Sequence, residues 1–91
     1  MSYTLRTGVS TAETDYGVTL LDEHDGEYFS LNPTGAVVLR TLLDGGSQGD
    51  AITRLTTEYD VDAPTAAQDV TNLVGALESA GLLQHVGGGQ P

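Results

Sequence analysis

The sequence predicts a small α+β domain in which a three-stranded antiparallel sheet precedes a three-helix bundle. Three observations carry this expectation: an Asp25-Gly26 pair between two strand-like segments, an Asn32-Pro33 pair directly after them, and three later stretches of helical periodicity. All strands come before all helices, so the chain is not an alternating parallel α/β protein. The predicted arrangement is winged-helix-like, with the wing moved forward.

Residues 3–9 hold Tyr3, Leu5 and Val9 in loose alternation and predict a first strand, and residues 11–17 predict a polar loop. Residues 18–23 and Glu27–Leu31 predict the second and third strands, joined across His24-Asp25-Gly26-Glu27 by a two-residue type I′ turn, which favours Asp-Gly. That turn sets Leu20 opposite Leu31 and Asp22 opposite Phe29. Val18, Leu20, Phe29 and Leu31 then share a core face, with Thr19, Leu21, Tyr28 and Ser30 on the other.

Asn32 suits an N-cap and Pro33 the first helical position, so the first helix runs from there to Asp44, before Gly45-Gly46, and buries Val38, Leu39, Leu42 and Leu43. Ser47 caps a second helix with Asp50 in its first turn and Ile52, Leu55 and Tyr59 at spacings of three and four, ending near Asp60. The third spans residues 64–80, places Ala66, Val70, Leu73, Val74 and Leu77 on one face, and stops at Gly81 as a C′ residue. Leu82 and Leu83 fold back onto the bundle. The folded domain is therefore expected over residues 1–83, with residues 84–91 a disordered tail that closes on Gly87-Gly88-Gly89-Gln90-Pro91.

Composition narrows the function. A chain of 91 residues forms one domain that buries roughly 60–65% of its unfolded surface. There is no cysteine, hence no disulfide, thiolate metal site or cysteine nucleophile. Thirteen Asp and Glu face only Arg6, Arg40 and Arg54, for a formal net charge of −10. Three scattered arginines supply no footprint for a phosphate backbone, so nucleic acid is excluded as a partner and a basic or neutral one favoured. Nothing at the N-terminus reads as a signal peptide and no stretch reaches 18 apolar residues, so a cytoplasmic protein without membrane contact is expected.

Catalytic and metal motifs are missing from the sequence. His24 falls in the hairpin turn and His85 near the end, with no metal-pair spacing. Asp22, Glu23, Asp25 and Glu27 lack the order of a calcium loop. Ser10, Ser30, Ser47 and Ser79 have no Gly-x-Ser-x-Gly around them, and no cofactor motif appears. A DNA-binding winged helix needs Arg or Lys on its recognition helix, and residues 64–80 have neither. An acidic carrier protein needs an Asp-Ser-Leu context, also absent. Gly75, in mid-helix, faces away from the core stripe and is read as surface variation.

In a simple meander the third strand is an edge, and its unpaired backbone groups become the leading candidate for a binding surface. Tyr28 and Ser30 flank an added peptide with their side chains, Phe29 and Leu31 contribute backbone groups, and Asp69, Val70, Leu73, Ala76 and Leu77 offer the flank of the third helix. Asp69 has the charge to pair with a basic peptide residue.

The run Tyr28-Phe29-Ser30-Leu31-Asn32-Pro33-Thr34-Gly35, followed by Val38-Leu39, Tyr59-Asp60-Val61, Asp69-Val70, Leu73, Leu77 and Gly81-Leu82-Leu83, resembles the PqqD-like family over roughly residues 3–83. The resemblance implies a non-catalytic recognition element for ribosomally made, post-translationally modified peptides, similar to the free-standing leader-binding protein of split lasso-peptide systems. It implies that a precursor's leader adds as a further strand beside the third strand and against the third helix. It also implies separate partners, a leader peptidase that cuts and an asparagine-synthetase-like cyclase that closes the ring. A relative of the same fold serving another pathway, such as delivery to a radical SAM enzyme, is the alternative.

Overall fold

The strand-forming residues sort into two sheets. The computed structural model describes residues 2–86, in the order β1 (Ser2–Leu5), β2 (Val9–Thr14), β3 (Gly17–Asp22), β4 (Glu27–Leu31), α1 (Pro33–Leu43), α2 (Gln48–Glu58), α3 (Ala63–Ser79) and β5 (Leu83–Val86). β2, β3 and β4 form the three-stranded antiparallel sheet in that spatial order, and β1 pairs antiparallel with β5. The mixed α+β fold with three helices after that sheet is as predicted; the membership of the sheet is not.

The expected first strand breaks at Arg6-Thr7-Gly8, where Gly8 takes φ +88° and Val9 N–H donates to the Arg6 carbonyl at 3.1 Å. Residues 11–17, expected as a loop, instead supply most of β2 and a two-residue turn at Asp15-Tyr16. β2 shows no alternation because only Val9 reaches the core and the other five residues are exposed. β5 was equally hidden. Its partner lies some eighty residues earlier, and Gln84, His85 and Val86 belong to a paired strand rather than to a disordered tail. Residues 87–91 of the expected tail lie outside the described residues.

The β3–β4 connection also differs from expectation. Asp22 pairs with Glu27, leaving a four-residue loop, so Leu20 faces Phe29 and Val18 faces Leu31. Type I′ needs φ > 0 at both central residues, but here Gly26 takes φ +70° and Asp25 does not. Asp22 wins the competition: its carbonyl accepts from Gly26 N–H at 2.7 Å and its Oδ1 from His24 N–H at 3.0 Å. The displacement is two residues, which preserves the face of every side chain.

The helices obey their caps. Asn32 Oδ1 accepts from Gly35 N–H at 2.8 Å; Ser47 and Asp50 form a reciprocal capping box; Asp62 accepts from Thr65 N–H at 3.3 Å. At the end of α3, Gly81 (φ +75°) donates to Glu78 and Leu82 to Leu77, a Schellman closure. α1 packs against β1, β3, β4 and both other helices. Leu20, Leu39, Leu42, Leu55, Val70 and Leu77 are fully buried at the centre. The small sheet is tied in through Tyr3, whose ring stacks on His85 at 4.7 Å and whose Oη accepts from Gln48 Nε2 at 2.8 Å.

Candidate functional site

β4 is an edge strand, paired on one side by β3 and on the other by no strand among the described residues. Which backbone groups it leaves free follows from the β2–β3 turn. Thr14 and Gly17 flank two residues and so face each other in a hydrogen-bonded pair. Backbone groups alternate sides along a strand, so Gly17, Thr19 and Leu21 bond toward β2, and Val18, Leu20 and Asp22 toward β4. Their partners Leu31, Phe29 and Glu27 are consumed by β3, and the N–H and C=O groups of Tyr28 and Ser30 point to the free edge. This corrects the expectation that Phe29 and Leu31 supply backbone groups to an added strand.

Beside that edge lies a groove of about 340 Å³ between β4, the start of α1 and the flank of α3. Phe29, Leu31, Val38, Leu55 and Leu73 give it an apolar floor, and Ser30, Asn32, Thr34, Asp69 and Asn72 a polar rim. The floor is part of the core itself: Val38 is 2% exposed and Leu55 1%, while Phe29 and Leu73 are half-buried and open to the groove. At Gly35 a Cβ would sit 3.2 Å from Asn32 Oδ1 and 3.6 Å from Leu73 Cδ2, so glycine here keeps the groove open where α1 approaches α3.

Of the residues expected at the site, Phe29, Ser30, Leu31, Asp69 and Leu73 are brought together in the groove wall. Tyr28 stands on the opposite face of β4, 72% exposed, and joins the site through its backbone. Val70 and Leu77 are core residues with no surface to offer, and Ala76 is exposed but outside the groove. Asn72 was missed although helical spacing holds the signal: 69, 72 and 73 are neighbours on one flank. Asn32, Thr34 and Gly35 were visible only as the start of a helix. Gly75 carries nothing near it that a Cβ would meet.

The cations lie elsewhere. Arg40 pairs with Glu13 across α1 and β2, and Arg54 with Glu58 at 3.1 Å along α2. Each carboxylate, chiefly by its hydrogen bond, holds its guanidinium above the usual arginine value. Arg6 lines a second, polar cavity of about 450 Å³ with His24, Asp22 and Gln84, near the C-terminal end of α3. Among the described residues no group of three or more His, Asp or Glu is placed to hold a metal ion, and no helix is long and apolar enough to cross a membrane.

Comparison with known proteins gives this geometry a context. The sequence model of the family described as coenzyme PQQ synthesis protein D (PqqD) matches residues 17–83, from β3 to the start of β5. Two solved structures superpose over nearly the whole chain. One is a lasso peptide synthetase B1 complexed with the leader peptide, 41% identical, with a TM-score of 0.86 over 93% of this chain and all of that one. The other is TbiB1 in complex with the TbiA(beta) leader peptide, 28% identical, with a TM-score of 0.81 over 97% of this chain and all of that one. No curated protein sequence matches. The chain belongs to the PqqD family.

Proposed function

We propose that this PqqD-family domain recognises the leader of a ribosomally made precursor in lasso-peptide biosynthesis, accepting it as a strand on the free edge of β4. The observation that carries the reading is the coincidence of that edge with an apolar groove: Tyr28 and Ser30 supply backbone partners, and the groove receives side chains from one face of the added strand. Peptide residues opposite Phe29 and Leu31 point inward toward α3, and those opposite Tyr28 and Ser30 point outward.

The energetics fit a handover. Four backbone hydrogen bonds contribute about 1 kcal/mol each and three apolar side chains about 2 kcal/mol each. Ordering the peptide removes about 2–5 kcal/mol, which leaves dissociation constants from about micromolar to a few hundred micromolar. The domain presents the bound leader to a separate leader peptidase, and the processed precursor passes to a cyclase. Support for these partners is the resemblance to split lasso systems, in which recognition and cleavage are separate chains. Work in the cytoplasm, where precursors are translated, follows from the same reading.

The test is a fluorescence polarisation titration with a labelled leader carrying the Tyr-x-x-Pro-x-Leu pattern of lasso precursors, beside a copy with those anchors changed to alanine. Saturable binding that the alanine copy loses supports the reading. Equal binding of both copies, or of neither, contradicts it.

A further inference from the structure

Every cationic Lys or Arg side chain of the chain is placed away from the groove. The sequence has three, with no lysine: Arg40 is held by Glu13, Arg54 by Glu58, and Arg6 lines the second cavity. Both histidines are elsewhere too, His24 at that cavity and His85 stacked on Tyr3. Asp69 therefore stands on the wall of an apolar-floored groove with no ion-pair partner among the described residues.

While the groove is open, water solvates this carboxylate. A peptide strand laid along β4 displaces that water and leaves the charge beside Phe29 and Leu73, an arrangement that is costly unless the ligand itself brings a donor. A ligand carboxylate or aliphatic group at that point is thereby rejected, which is specificity through an unpaired charge.

We propose that Asp69 is a specificity-determining residue that selects leaders carrying a lysine or arginine two positions from the apolar side chain seated at Leu73. The inference rests on strand addition to β4. For a strand laid alongside α3 the spacing follows from the two repeats: Asp69 and Leu73 are one helical turn apart, about 6 Å along the axis, and alternate residues of an extended strand are about 6.7 Å apart on one face. A strand thus delivers an apolar side chain to Leu73 and a cation to Asp69 from neighbouring inward positions, and a cation at an odd offset points away.

The test uses a set of labelled strand peptides with one fixed apolar anchor and Lys, Gln or Glu at each of the two positions on either side. They are titrated against the native protein, Asp69→Asn, Asp69→Lys and, as a remote carboxylate on the same helix, Glu78→Gln. Lys at one of the two-residue offsets binds the native protein about tenfold tighter than Gln there, as a charge-assisted hydrogen bond does. Asp69→Asn removes that preference, Asp69→Lys inverts the order of Lys and Glu, and Glu78→Gln leaves it unchanged. Circular dichroism melts confirm that the variants fold. Binding that is retained but ranks the peptides identically in the native protein and Asp69→Asn overturns the inference and leaves strand addition standing. Absence of binding by every peptide overturns both.

Discussion

The three-stranded sheet has two open edges, and they differ in what lies beside them. β2 exposes five of its six residues, and its exposed Glu13 pairs with Arg40 of α1. β4 has the same backbone to offer at Tyr28 and Ser30, but its inner face opens on a groove walled by α3 and floored by core leucines and a valine. Backbone hydrogen bonds alone are a weak and unselective reason to bind, because water competes for them. An edge becomes a recognition site where side chains from one face of the incoming strand also leave water. Only β4 meets that condition among the described strands of this sheet.

The largest effect belongs to Gly17, at the start of β3. It takes φ +143°, and a Cβ there would lie 2.0 Å from the Leu31 carbonyl oxygen. Gly17→Ala pushes the end of β4 away from β3 and is expected to cost about 3 kcal/mol or more in denaturant unfolding, erasing the difference between the edges. Next comes a matched pair of prolines. Ser30→Pro removes a free-edge N–H of β4 and is expected to weaken leader binding at least tenfold by polarisation. Thr11→Pro, which removes an outward N–H of β2, is expected to leave the affinity unchanged.

Leu73→Ala removes half-buried apolar surface from the groove floor. The expected loss is about 1–2 kcal/mol of binding, with a smaller loss of stability, read from the same titration and a thermal melt. Gly35→Ala narrows the groove against Asn32 and Leu73, with a few-fold weakening of binding and little change in melting temperature. The smallest effect is that of Glu13→Gln, which releases an exposed Arg40 on the far edge. Neither affinity nor melting temperature is expected to move measurably.

The contrast also explains what was legible in the sequence. Helix boundaries were, because Asn32, Ser47 and Gly81 mark them with local hydrogen bonds that need no tertiary context. The edge status of β4 followed from a simple meander order and the inward face of Phe29 and Leu31 from alternation, and both survive a register shift of two residues. β2 was hidden because an edge strand with solvent on both faces carries no periodic apolar signal. β5 was hidden because its pairing is long-range and its strand short. The groove was half visible: Asp69 and Leu73 could be placed by helical angle, but Gly35, Asn32 and Thr34 enter it only because α1 starts where β4 ends. The free backbone groups were legible too: the expected two-residue turn at Asp25-Gly26 already sets Phe29 and Leu31 in hydrogen-bonded pairs with the preceding strand and turns the N–H and C=O groups of Tyr28 and Ser30 outward, so naming Phe29 and Leu31 as the backbone partners contradicts that turn's own alternation.

The most direct measurement is amide hydrogen exchange by NMR with and without a saturating leader peptide. The amides of Tyr28 and Ser30 are predicted to slow by at least tenfold on binding, while the outward amides of β2 at Thr11 and Glu13 exchange as before. Protection at Thr11 and Glu13, or binding that leaves Tyr28 and Ser30 unchanged, would contradict strand addition at β4.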